Sequence, residues 1–165
     1  MSYRWAIAGI VFDPVAVLTE DQLIGRPTRY EIDEGVRHFH MDVEREVYPF
    51  RDGLVLRRAT MLVQRLKGPS RGIACFNEHG DRMGFVFEKL AFVHPVLRGR
   101  GLGAELMAEN YMAEPEILRA RARSVQRLSW SVAGEAAARA AYRLMLERGG
   151  IVAPPGRVGV GSAHA

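Results

Sequence analysis

Residues 93–107 read Val-His-Pro-Val-Leu-Arg-Gly-Arg-Gly-Leu-Gly-Ala-Glu-Leu-Met, with glycine at every second position from 99 to 103. This run lies between an apolar strand-like segment and a helix-like segment. Gly99, Gly101 and Gly103 can take φ > 0 and let a ligand approach the backbone closely. N–H groups freed in such a turn point into one concavity, and the helix that follows adds its partial positive end. The expectation is a pocket for pyrophosphate.

Spacing narrows the choice of pocket. A Walker-type phosphate loop is excluded because no Gly-Lys-Ser/Thr occurs. Gly99-x-Gly101 followed by Ala104 satisfies the G-x-G-x-x-A variant of the dinucleotide fingerprint, so the glycines alone leave that alternative open. A dinucleotide loop normally opens its domain, however, with several βαβ units after it. Only about 60 residues follow here, too few for that sheet. Arg98-x-x-Gly101-x-Gly103, entered from Val93-x-Pro95, resembles the acyl-CoA loop of the GNAT family of N-acetyltransferases, Arg/Gln-x-x-Gly-x-Gly/Ala.

Composition excludes several other classes. A chain of 165 residues with 48% hydrophobic and 25% charged residues is an ordinary globular domain, long enough for a real core. No stretch approaches the roughly 20 apolar residues of a membrane span. The apolar run Trp5–Phe12 is interrupted by Asp13-Pro14 and lacks a small-residue cleavage site, so it is not read as a signal peptide. The single cysteine, Cys75, forbids an intrachain disulfide or a cysteine metal cluster, and its setting is that of a buried strand residue. A cytoplasmic location is expected. His38 and His40 share a strand face but lack a third ligand, so no metal site is expected. The net charge of +4 is carried almost entirely by arginine. The local run Arg119, Arg121, Arg123, Arg127 is compatible with solvent exposure, with CoA phosphates or with a nucleic acid. It lacks interleaved aromatics, so a dedicated nucleic-acid surface is not expected.

Along the chain, Tyr3–Phe12 reads as a first strand. Thr19-Glu-Asp-Gln22 has capping-box spacing and opens a short helix before Gly25. Tyr30–Asp42 reads as extended. Residues 52–66 read as a helix, with Asp52 as cap, Gly68-Pro69 as stop and Leu56, Ala59, Val63 and Leu66 near helical spacing. Gly72–Asn77 and Met83–Val93 read as strands joined by the turn Glu78-His79-Gly80-Asp81, the second strand being long and ending at Pro95. After the glycine loop come a helix to about Met112, a basic helical piece over Ile117–Arg123, a strand over Val125–Val132 and an alanine-rich helix over Glu135–Arg148. Ile151–Val152 starts a last strand, and the segment from Pro154 to Ala165 reads as a flexible tail.

This order is similar to that of the GNAT family, best over 71–150. The resemblance implies an α/β (α+β) fold in a single domain over 1–153, with a mixed, mostly antiparallel central sheet and flanking helices. It further implies that backbone groups around Phe92 and Val93 pair with pantetheine, the Val93 N–H polarising the thioester carbonyl. Backbone donors of Arg98, Gly99, Arg100, Gly101, Leu102, Gly103 and Ala104 would hold the pyrophosphate. Tyr142, in Ala138-x-x-x-Tyr142, matches the family tyrosine whose phenol reaches the CoA sulfur, and a phenol can protonate a departing thiolate. Glu88 stands near the position of a catalytic glutamate in some members. Read as mid-strand, it shares a face with Leu90 and Phe92. His94 is a second candidate base.

The function so implied is an acyl-CoA-dependent N-acyltransferase that moves acetyl from acetyl-CoA, without a metal, to a small-molecule or peptide amine. The acceptor cleft is expected partly from the first 70 residues. Frequent homodimerisation in the family makes a second copy a candidate partner, and some basic members acetylate aminoacyl-tRNA. The alternative is a non-catalytic acyl-CoA-binding sensor or interaction module, which the same glycine loop would serve.

Overall fold

Asp52 and Gly53 decide how the central sheet begins. Both have positive φ, 51° and 76°, and the Leu54 N–H donates to the Arg51 carbonyl at 2.7 Å. Two successive residues with φ > 0 make the mirror-image turn whose twist suits an antiparallel hairpin, and Asp-Gly is its preferred pair. In the computed structural model, which describes residues 2–29, 40–61, 70–88 and 90–156, this turn joins β5 (Tyr48–Pro49) to β6 (Val55–Met61).

The helix expected from Asp52 is therefore replaced, in its described part, by a strand. The reason lies in the two faces of β6. Leu56 and Ala59 are three residues apart, as on a helix. In the strand they point to opposite sides, Leu56 into the main core and Ala59 into a second apolar cluster with Met61, Ala74, Phe85 and Phe87. A strand covered on both faces loses the simple alternation that distinguishes it from a helix.

The six-stranded sheet runs β4 (Asp42–Val43), β6, β7 (Ser70–Phe76), β8 (Arg82–Phe87), β9 (Leu90–Val93), with β5 also on β6, and every pairing is antiparallel. Asn77 Oδ1 accepts the backbone N–H groups of His79 and Asp81, tying the expected turn between β7 and β8. The long strand expected over Met83–Val93 is instead two strands. Phe87 pairs with Leu90, so the chain reverses at Glu88 and β9 returns along β8, with Phe92 opposite Phe85. The reversal is hard to see in the sequence because an apolar run stands on both sides of Glu88 and Lys89.

Outside the sheet, the expected first strand is a short hairpin of β1 (Arg4–Trp5) and β2 (Gly9–Ile10). Helix α1 (Glu20–Ile24) carries the full capping box at Thr19 and Gln22. Then β3 (Arg26–Arg29) pairs in parallel with β10 (Arg127–Trp130), a two-stranded unit separate from the main sheet. Helices α2 (Leu102–Ala113), α3 (Pro115–Arg123) and α4 (Val132–Glu147) complete a mixed α+β architecture with four α-helices among the described residues. Val152 makes only an isolated bridge, to Val17. Residues 30–39, residues 62–66 of the 52–66 segment and the residues beyond 156 lie outside the described residues. No described helix is long and apolar enough to cross a membrane.

Helix α2 is enclosed on nearly all sides, with Leu106, Ala108, Glu109 and Asn110 all buried. Its first turn carries Glu105, which Arg148 grips with two hydrogen bonds of 2.9 and 3.0 Å. The same guanidinium lies 4.3 Å from the ring centre of Tyr3 and 5.6 Å from that of Trp5. One turn on, Glu109 accepts the Ala6 N–H at 2.8 Å and so ties the N-terminal hairpin to the helix. Burial pushes the Glu109 carboxyl up to about 7, against the pull of the Ala6 and Ile7 amides.

A carboxyl raised in the folded state binds its proton more tightly there than in the unfolded chain. The stability it contributes is full below pH 4.5 and is lost as pH rises through about 7. Glu109→Gln keeps an oxygen for the Ala6 N–H and removes the ionisation. Denaturant unfolding at about pH 5 and about pH 8 should show the parent weakening on the order of 2–3 kcal/mol more than the variant across that window.

Candidate functional site

A strand at the end of a sheet leaves one edge unpaired, and two such edges facing each other leave a gap. β9 ends the main sheet, while β10 belongs to the separate pair with β3. Between them opens a cavity of about 540 Å³, lined by Ala91, Phe92 and Val93 on one side and Ser129, Trp130 and Ser131 on the other. Its floor is α2, and its remaining wall is the small-residue stripe Ala133, Gly134, Ala137, Ala140 of α4. Side chains no larger than methyl on this face of α4 leave the space between the helix and the strands unfilled. The Ser131 hydroxyl, which accepts the Gly134 N–H at 2.9 Å, caps that helix beside the cavity.

The glycine loop forms one end. His94 opens a 3-10 turn over Pro95–Leu97, its Nδ1 accepting the Val96 N–H at 3.2 Å. Gly99 (φ 82°) and Gly101 (φ 74°) are left-handed, and a Cβ on either would meet no protein atom within 4 Å. These positions thus need glycine for the backbone and leave open space in front of it. Gly101 caps α2 without a side-chain hydrogen bond, so no capping side chain serves the first-turn N–H groups. Arg51 braces the loop from the β5–β6 turn, donating to the Arg100 carbonyl at 3.1 Å and approaching Glu105 at 3.5 Å. Arg98 donates to the Val93 carbonyl at 2.8 Å, with its guanidinium 5.5 Å from the Phe92 ring centre.

Phe92, Val93, Arg98, Gly99, Gly101, Leu102, Gly103, Ala104 and Glu88 are brought together around this one cavity. Arg100 faces instead a small pocket of about 90 Å³ with Arg51, Asp52 and Leu97. Glu88 reaches the cavity from the β8–β9 reversal rather than from mid-strand, and its Oε1 lies 3.8 Å from Arg121 Nη2. Tyr142 does not line the cavity. Its hydroxyl donates to the Leu18 carbonyl at 2.7 Å, and burial raises its pKa, with Glu20 adding to the effect. Cys75 is buried in β7, its thiol pushed up to about 12 by desolvation. Among the described residues no group of three or more His, Cys, Asp or Glu stands close enough to hold a metal; His38 lies outside them.

Sequence reasoning did not single out Asn110 and Tyr111, which continue the cavity floor beyond Ala104. Their spacing from Gly103 and Met107 puts them on the same side of α2, a signal available once the loop was read as a helix start. Arg121 gave no such signal. Read as one of four arginines in a basic run, it is in fact 1% exposed, donating to the Leu23 carbonyl at 3.0 Å and the Tyr111 hydroxyl at 2.9 Å.

No protein-family description matches the chain, and no curated protein or solved structure matches it either.

Proposed function

We propose that this chain is an acyl-CoA-dependent N-acyltransferase of the GNAT type, carrying acetyl from acetyl-CoA to a primary amine in a ternary complex. The observation that carries the reading is the continuity of one cavity from an uncapped helix N-terminus at two left-handed glycines into the gap between the edges of β9 and β10. Helix N–H groups favour a pyrophosphate, and a free strand edge favours an extended amide-bearing arm such as pantetheine. The apolar lining from Ala91, Met107 and the α4 alanines suits the thioester and excludes water from it. A cytoplasmic setting is consistent with the reading.

Direct transfer needs the amine nitrogen to attack the thioester carbonyl carbon, the C–S bond to break, and the sulfur to receive a proton. Glu88 borders the cavity as a proton acceptor for the amine. Tyr142 spends its proton on Leu18, which favours a second reading: a binding module that takes up acyl-CoA without chemistry. Thiol release from acetyl-CoA across a panel of primary amines separates the two.

Gly101→Val forces a β-branched residue into a left-handed cap and fills the space before the loop. Calorimetry on the folded variant should show CoA affinity reduced by about a hundredfold or more, since both the cradle and its access are lost. Unchanged affinity would remove the site. Tyr142→Phe should cost about 1 kcal/mol of stability for the lost bond to Leu18. CoA affinity and single-turnover acetyl transfer should stay at the parent level. A large selective loss of transfer would return the acid role to Tyr142.

A further inference from the structure

The arginines of the 119–127 segment do not act as one unit in the fold. Arg119 is held by Glu116 and by the Val15 carbonyl, and Arg121 is buried. Arg123, at the end of α3, and Arg127, at the start of β10, remain exposed. A third arginine joins them from far away in sequence. β3 and β10 pair in parallel with Arg26 directly beside Arg127, and Arg26 is exposed too.

Arg26 and Arg127 share one face of this two-stranded ribbon. Burial alternates along β10, with Leu128 and Trp130 buried and Arg127 and Ser129 exposed. Residues in register on neighbouring strands point the same way, about 4.8 Å apart. The next exposed pair shows it directly, since the Thr28 and Ser129 hydroxyls meet at 3.0 Å. Two like charges side by side on a ribbon repel each other. Among the described residues nothing offsets that repulsion: the guanidinium groups of Arg26, Arg123 and Arg127 have no hydrogen-bond or ion-pair partner. Acids of the two adjoining helices are committed elsewhere, Glu20 to Arg139 and Arg143, and Glu116 to Arg119. None of the three arginines lines the cavity, so a ligand held there does not neutralise them.

The face therefore calls for a partner carrying several anionic groups. It offers no aromatic platform for stacked bases, because Trp130 points to the buried side. Pro27 takes one N–H away from β3, which makes that edge a poor template for strand addition. Contact must then run from side chain to side chain, and a guanidinium fork matches a carboxylate through two parallel hydrogen bonds.

We infer that the exposed face of the β3–β10 ribbon is a docking surface for an acidic peptide segment of a partner protein, with carboxylates against Arg26 and Arg127 and Arg123 beside them. The inference goes beyond the acyltransferase reading and does not depend on it.

The probe is a fluorescein-labelled glutamate octamer, titrated into the full chain at about 50 mM salt, where exposed charges are weakly screened. The parent should bind it, should bind a lysine octamer much more weakly, and should lose affinity as salt rises. Arg26→Gln combined with Arg127→Gln should weaken the octamer by about tenfold or more. Arg4→Gln combined with Arg45→Gln removes the same charge from two other exposed arginines and should leave affinity within about twofold. Amide chemical shifts of the parent, which need no variant to fold, should move around 26–28 and 123–129. A parent that does not bind the octamer, an equal loss in the two double variants, or shifts centred on the glycine loop overturns the inference. So does tighter binding of a uridine octanucleotide than of the peptide, because the surface would then serve nucleic-acid phosphates.

Discussion

A helix with almost no solvent-facing side must find a use for every polar group it carries, and α2 is such a helix. Glu105 is spent on Arg148 and Arg51, and Glu109 on the amide of Ala6. These contacts join the helix to the C-terminus of α4, to the β5–β6 turn and to the N-terminal hairpin. The helix is thereby held at its start, where precise placement of a few N–H groups matters most. Asn110 Oδ1 is buried with no partner among the described residues, and Asn110 borders the cavity.

The parts of the fold that local chemistry dictates were legible in the sequence. Thr19 and Gln22 make a capping box because each satisfies the other's backbone donor. The glycines at 99 and 101 stand where the backbone turns left-handed. What escaped depends on coverage from both sides. Leu56 and Ala59 look helical because the strand holding them is buried on two faces, and Asp52-Gly53 reads equally as a cap or a hairpin turn until a partner strand is known. The reversal at Glu88 was hidden because apolar runs stand on both sides of it.

The site shows a similar division. Its glycine-loop end is contiguous in sequence, and a single stretch describes it. Its other end is assembled from a strand reversal and the third turn of α2, with α3 packed behind, so no window of sequence contains it. Arg121 is the clearest case. Its neighbours in sequence are solvent-facing arginines, while its neighbours in space are Tyr111, Trp130 and Leu23. Tyr142 illustrates the converse: a local pattern singles out a phenol on α4, but its hydroxyl donates to the Leu18 carbonyl, away from the cavity lining.

Arg51 stands directly before the Asp52-Gly53 turn and holds the carbonyl of Arg100 in the glycine loop. A two-residue turn has no slack, so the reach of that guanidinium is set by the register of β5 on β6. The loop and the sheet edge are therefore joined by a direct contact. To the extent that ordering the loop favours this contact, it also favours the β5–β6 hairpin, and a hairpin already ordered presents the loop at lower entropic cost. A sheet margin remote from the cavity is in this sense part of the ligand's reference state.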